Sequence, residues 1–274
     1  MTWPLIDAHC HLHDEHFHSF SSSSSIQRFE NVLSRARSVH LSHIVSCATH
    51  EEDWRILEQL MEQQKHDSFL TIVPVFGVHP WWAQEMRLTK KFSSIKDITR
   101  HVDTVPKSKC GRDWAMQEQK RTTSTSEYSD GDIPSATGSG SRVLVLHSYS
   151  GSLDMIQSFL ALRGTRVFFS LNAKQLTDPQ MKKAAACCKK LPLESLLLET
   201  DAPDQTPSIE LVKELFNQAD NVPLALQEGS AGVNEPAMVK LALYGAAKIR
   251  NVPMDEVAAA VYQNSKEAFG LMAS

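Results

Sequence analysis

Along much of the chain, short apolar runs alternate with segments whose apolar residues recur every three or four positions. HIVSCAT (43–49) reads as a strand, EEDWRILEQLMEQQKH (51–66) as an amphipathic helix, and TIVPVFGVHPWW (71–82) as a buried strand again. The pattern resumes with RVLVLHSYSG (142–151), a helix over 152–163, RVFFSL (166–171), a helix over about 178–190, and SLLLETDAP (195–203). Such an order predicts a parallel sheet with right-handed crossovers, either open and doubly wound or closed into a barrel. The last third is helical, with NEPAMVKLALYGAAKIR (234–250) and VPMDEVAAAVYQNSKEAFGLM (252–272) spaced for burial on one face, and Pro253 and Asp255 marking the start of the second.

The first run breaks its own pattern. In PLIDAHCHLH (4–13) Pro4, Leu5, Ile6 and Ala8 suit a buried strand, yet Asp7, His9, His11 and His13 are set into it. On a strand His9 and His11 leave the same face, about 7 Å apart along the backbone, so their imidazoles can converge on one point. Imidazole is the commonest protein ligand of divalent metals, and a cation there offsets the burial of two polar rings. Cys10, between them, is expected to point the other way and is not counted as a ligand.

Two segments stand apart. Residues 104–142 are poor in β-branched apolar residues and crowded with Ser, Thr, Gly and Asp, which predicts an irregular, flexible stretch in its second half. The serine run at 21–25 reads as a shorter flexible insert. No GxGxxG follows the first strand and no GxxxxGK[ST] occurs, so the signatures of nucleotide-binding open sheets are missing. Polar residues gather instead where strands end: His9, His11, His79, His147 and Asp201. That distribution favours a TIM-type (β/α)8 barrel, whose chemistry sits at strand C-termini.

Composition narrows the class further. With 274 residues, 42% hydrophobic and 22% charged, the chain is read as one globular domain spanning 1–274. The net charge of −4 argues against a broad basic surface for holding nucleic acid, though not against an enzyme that meets phosphate through a metal. Cys10, Cys47, Cys110, Cys187 and Cys188 show no CxxC spacing and are expected as reduced thiols. Neither a signal peptide nor an uninterrupted apolar span is recognised, which places the expected compartment in the cytoplasm, with the nucleus as the alternative. No membrane and no obligate protein partner are implied, and a monomer is expected.

Asp201, at the end of an apolar run, is either a metal ligand and water-activating base or the cap of the following segment. Glu199 is expected to face away from it by strand alternation and is the weaker candidate. His147 either contacts a substrate phosphate or protonates a leaving oxygen, or is a buried histidine paired with a carbonyl. His79 poses the same choice, and Trp81 and Trp82 either stack on a base or plug a barrel mouth. His13, His16 and His18 read as loop residues, and Lys90, Lys91, Lys182 and Lys183 as solvated helix faces.

Taken together, DAHCHL (7–12), GVHPWW (77–82), VLHSYSGS (145–152), LETDAP (198–203), NEP (234–236) and QNSKEAFG (263–270) resemble the TatD family of metal-dependent deoxyribonucleases, which are amidohydrolase-type barrel enzymes. The resemblance implies that His9, His11 and Asp201 hold one metal, and that a Glu from a fourth-strand GE-x-GLD motif bridges to a second metal carried by His147 and a fifth-strand His. That Glu and that His are not recognisable; KCGRDW (109–114) is the nearest remnant, with Asp113 standing for the motif's last Asp. The expected barrel is therefore distorted at strands 4 and 5. The expected cofactor is one divalent ion (Mg, Mn or Zn) at the first site, with one ligand left for the second. The reading that follows is a hydrolase of DNA phosphodiester bonds with Asp201 and His147 as its catalytic groups. Alternatives are a catalytically impaired relative that keeps one metal and a binding role, and a mononuclear amide or lactone hydrolase.

Overall fold

The structure is a computed structural model that describes residues 3–17, 23–64, 66–67, 69–77, 142–208 and 234–271. The elements run β1 (Leu5–Cys10), α1 (Ser23–Ser38), β2 (Leu41–Cys47), α2 (Glu51–Gln64) and β3 (Thr71–Val75). Then come β4 (Arg142–Leu146), α3 (Leu153–Leu160), β5 (Thr165–Asn172), α4 (Ala173–Thr177), α5 (Lys182–Lys190), β6 (Leu196–Glu199), α6 (Val239–Arg250) and α7 (Met254–Ala268). All strand pairings are parallel, with β1–β2–β3 in one sheet and β4–β5–β6 in the other. The sheets meet where Cys10 bridges Ala202: the Asp201 N–H donates to the His9 carbonyl (2.9 Å) and the His11 N–H to the Ala202 carbonyl (2.8 Å). The wall thus reads β3-β2-β1-β6-β5-β4, an α/β arrangement of the TIM-barrel kind.

Period-two alternation sorts the strand residues between two cores. One face carries Ile6, Ala8, Val45, Cys47, Val73, Val75, Val145, Phe168 and Leu197, closed off by Ala268 and Phe269 at the end of α7; this is the barrel interior. The other carries Leu5, Ile44, Ile72, Phe169, Leu196 and Leu198 and packs against the helices. Cys10 is fully buried on that outer side, as its position between the two histidines predicts.

Several elements depart from the sequence reading. The serine run is not a free insert, because α1 begins at Ser23; Phe29, Val32, Leu33 and Ala36 fall at helical spacing and are buried. The helix expected over about 178–190 begins later, as α5 at Lys182, and an unexpected short helix, α4, precedes it, started by the capping box of Asn172 and Gln175. The segment from 234 opens with a 3₁₀ turn, Pro236–Met238, before α6. His18, His79, Trp81, Trp82, Lys90, Lys91, Asp113 and the irregular stretch up to residue 141 lie outside the described residues.

α6 is buried on nearly every side, with Val239, Leu241, Ala242, Leu243, Gly245, Ala246 and Ala247 enclosed. It rests on α4, where a Cβ at Gly245 would stand 2.5 Å from the Leu176 carbonyl oxygen. Helix propensity alone makes Gly→Ala stabilising by about 1 kcal/mol, whereas forced overpacking costs about 1–3 kcal/mol. Gly245→Ala is expected to lower the urea unfolding midpoint; a raised midpoint would show that α4 yields freely.

Candidate metal centre

β1 delivers its two histidines to the interior by a change of step. From Asp7 to Cys10 it advances three residues while β2 advances from Ile44 to Ser46, a bulge of one residue. Ile6 and Ala8 pack in the interior, so an unbroken strand would turn His9 and His11 outward. The bulge resets the alternation and lets both rings join the interior mouth.

His11 is locked from behind. Its Nδ1 lies 2.8 Å from the Cys47 carbonyl, which can only accept, so Nδ1 carries the proton and Nε2 presents its lone pair. Nε2 stands 3.3 Å from His9 Nε2, and both are 3.6 Å from Asp201 Oδ1. Four-coordinate ligands at ~2.0–2.2 Å from an ion stand about 3.3–3.6 Å apart, so the trio has the edges of one tetrahedral face. Burial works to lower the His11 pKa, but the Asp201 carboxylate and the Cys47 carbonyl outweigh it and the net shift is upward. Asp201 owes its place to a left-handed backbone (φ +59°), which Asp tolerates better than most residues.

Glu199 corrects the expectation that it faces away. Residues two apart on a strand share a face, so Glu199 follows Leu197 into the interior, and Asp201 lies on the same side. It is completely buried, and its Oε1 accepts from the Ser148 N–H (2.7 Å) and Oγ–H (2.6 Å). Burial, with the nearby Asp201 carboxylate, pushes its pKa up to about 8, against the hydrogen bonds from Ser148. His147 Nδ1 is 3.9 Å away, and the His147 ring stacks on His9 at 4.2 Å between centroids.

A second potential ligand group therefore exists, His9, His147 and Glu199, beside His9, His11 and Asp201. The count of one remaining ligand at the His147 side is too low. Both groups draw on His9, whose ring lies nearly parallel to that of His147 (14° between planes).

Around these groups lies a supporting set not anticipated from the sequence. Ser148 adopts φ +42°, turning its N–H toward Glu199. Its hydroxyl, spent on Glu199, accepts from Asn172 Nδ2 (3.0 Å), and Asn172 is itself fixed as the cap of α4, with Oδ1 accepting from the Gln175 N–H (2.8 Å). A cap residue at a strand end was the available signal. His13 lies in the turn after β1, as expected, but it is buried there, with Nε2 3.1 Å from Asp53 Oδ2. Burial works to raise the Asp53 pKa, but hydrogen bonds from His13 and Thr49 prevail and hold it well below the ordinary carboxylate value. His16 is an exposed partner of Asp14, and Lys182 and Lys183 are exposed at the start of α5, as expected.

A cleft of about 750 Å³ opens over this centre, bordered by His11, His13, His147, Ser148, Lys174 and Asp201 among others. No helix among the described residues is long and apolar enough to cross a membrane.

The model of the family "TatD related DNase" matches residues 6–128 and 132–270. Mouse TATDN3 is 24% identical over 301 residues, covering 97% of this chain and 88% of that protein. The Escherichia coli metal-dependent hydrolase YjjV is 31% identical over 130 residues, 47% of this chain and 41% of its own length. The crystal structure of a TatD family hydrolase from Entamoeba histolytica superposes with a TM-score of 0.69 at 16% identity, covering 98% of this chain and 99% of that one.

The buried carboxyls set a pH dependence for the metal-free protein. Unfolded, Glu199 ionises near 4.5, whereas in the fold it keeps its proton up to about 8; Asp7, raised by burial from 3.8 to about 7, behaves alike. Between these values the folded chain holds protons that the unfolded chain has released, so raising the pH favours unfolding. The urea midpoint of the metal-stripped protein is expected to fall between pH 5 and pH 8, and Glu199→Gln to flatten part of that slope. A midpoint that rises over the same range contradicts this account of the two carboxyls.

Proposed function

The chain belongs to the family of TatD-related DNases, and from that premise we propose that it is a hydrolase holding one divalent ion at His9, His11 and Asp201 and cleaving phosphodiester bonds of DNA. The observation that carries the reading is the spacing of His9 Nε2, His11 Nε2 and Asp201 Oδ1 at 3.3, 3.6 and 3.6 Å. Two imidazoles and a carboxylate with room beside them suit zinc or manganese better than magnesium, which prefers oxygen ligands. The name of the E. coli relative, a metal-dependent hydrolase, points the same way.

A bound divalent ion supplies Lewis-acid polarisation of a phosphoryl oxygen and acidifies water. The residues do the remainder. Asp201 turns Oδ1 to the two imidazoles, and its Oδ2, 3.4 Å from Ser148 Oγ, takes the proton of the attacking water. His147, in the cleft on the far side of His9, hydrogen-bonds the phosphate or hands a proton to the leaving oxygen. Because Ser148 spends its hydroxyl proton on Glu199, Asp201 keeps its proton-accepting capacity.

The test is a cleavage assay on single- and double-stranded DNA with chelator-stripped protein and added Zn²⁺, Mn²⁺ or Mg²⁺. Activity is expected to return with metal, Asp201→Asn to lower it by a factor of about 10²–10⁴, the range for loss of a positioned acid–base group, and His9→Ala, which removes a ligand, to abolish it. Absence of cleavage with all three ions sinks the proposal; activity that survives His9→Ala belongs to a contaminant.

A further inference from the structure

We infer that Asp7 is a positioning residue for the trio His9, His11 and Asp201: its carboxylate fixes the offset between β1 and β6 and, through Thr200, the distance of Asp201 from the two imidazoles. The inference rests on reading that trio as an ion site.

Asp7 is fully buried, and the partners that meet it are neutral donors on the two strands that carry the ligands. Oδ1 accepts from the Thr200 N–H at 2.9 Å and from the His9 N–H at 3.3 Å; Oδ2 accepts from Thr200 Oγ1–H at 2.6 Å. One carboxylate thus holds the backbone of a ligand on β1 and that of the residue before a ligand on β6. Few other ties link the two strands here. β6 ends at Glu199, and beyond it the backbone bonds are Asp201 N–H to the His9 carbonyl and His11 N–H to the Ala202 carbonyl.

Thr200 passes the constraint on. Its hydroxyl donates to Asp7 and accepts from the Ala202 N–H at 3.2 Å, while its carbonyl accepts from Asn234 Nδ2 at 2.8 Å. Asp201, in its left-handed conformation, is bracketed by Thr200 and Ala202, both fixed by that hydroxyl. Ligand spacing is unforgiving, because bonds to zinc are confined to a few tenths of an ångström. Residues that orient ligands from behind typically change metal affinity about 10–100-fold when replaced.

A carboxylate that served the seam alone would lower stability when lost but leave the affinity of the folded protein unchanged. The test therefore titrates the full-length, chelator-stripped chain with Zn²⁺ in competition with a chromophoric chelator, beside circular dichroism and urea unfolding of the same samples. Asp7→Asn and Thr200→Val are expected to bind zinc about 10–100-fold more weakly while retaining native circular dichroism. Thr200→Ser, which keeps the hydroxyl, is expected to stay within about twofold of wild type, far short of that range. Should Asp7→Asn fail to fold, the Thr200 pair decides alone. Equal zinc affinity in wild type and Thr200→Val, with only the urea midpoint lowered, overturns the inference and leaves the metal reading standing. A wild-type chain that binds no zinc overturns both.

Discussion

Keeping a cluster of imidazoles and carboxylates at the mouth of an apolar barrel interior is the constraint on which the rest of this structure depends. A buried polar group without a partner costs about 1–3 kcal/mol, and an unpaired charge more. Among the described residues the compensation is made with neutral donors and acceptors rather than with Lys or Arg. Asp7 is met by Thr200 and the His9 amide, Glu199 by Ser148, and His11 by the Cys47 carbonyl. That choice matters for function, since a neighbouring guanidinium or ammonium would compete directly with a cation for the same carboxylates. The bidentate Arg35–Glu235 pair instead joins α1 to the start of the 3₁₀ turn, where Glu235 is buried but makes no part of the centre.

The same constraint accounts for the irregular backbone beside the cluster. The bulge in β1, the left-handed Asp201 and the left-handed Ser148 all fall at strand C-termini; the bulge turns His9 and His11 inward, and Ser148 turns its N–H to Glu199. Non-glycine residues at positive φ cost about 1–3 kcal/mol each and persist only when their surroundings fix them. Asp201 is fixed by the His9 carbonyl and Ser148 by Glu199, so each strained residue is held by a member of the cluster that it helps to build.

How much of this was legible in the sequence follows from which signals are local. The parallel α/β order came through because alternation and helical spacing are properties of a short window, and His9, His11 and Asp201, singled out because strand ends carry chemistry in barrels, are brought together by the fold. Glu199 was misjudged although period-two alternation, properly applied, places it beside Asp201. The bulge in β1 has no local signature; it is set by pairing with β2. The helix α1 was hidden by the serine run before it, since serines are poor helix formers in isolation and packing of Phe29, Val32 and Leu33 overrides that preference. The pairing of His13 with Asp53 joins residues 40 positions apart and could not be read from either segment.

The two potential ligand groups overlap at His9, with His147 stacked on it, so they are neighbouring parts of one centre rather than independent sites. On the proposed reading, an ion there also answers an electrostatic objection. Asp14, Asp201 and Asp204 border the cleft, with Lys174 as the lysine among its described lining residues, and the chain as a whole carries a net charge of −4. A phosphodiester approaching such a surface is repelled, and at an effective dielectric constant of 20 two like charges 4 Å apart oppose each other by about 4 kcal/mol. On the proposed reading, a divalent charge at His9, His11 and Asp201 would reverse the sign of the field where a phosphate sits. Metal binding would then be a condition for substrate binding as well as for hydrolysis, which reconciles a net negative chain with an anionic substrate.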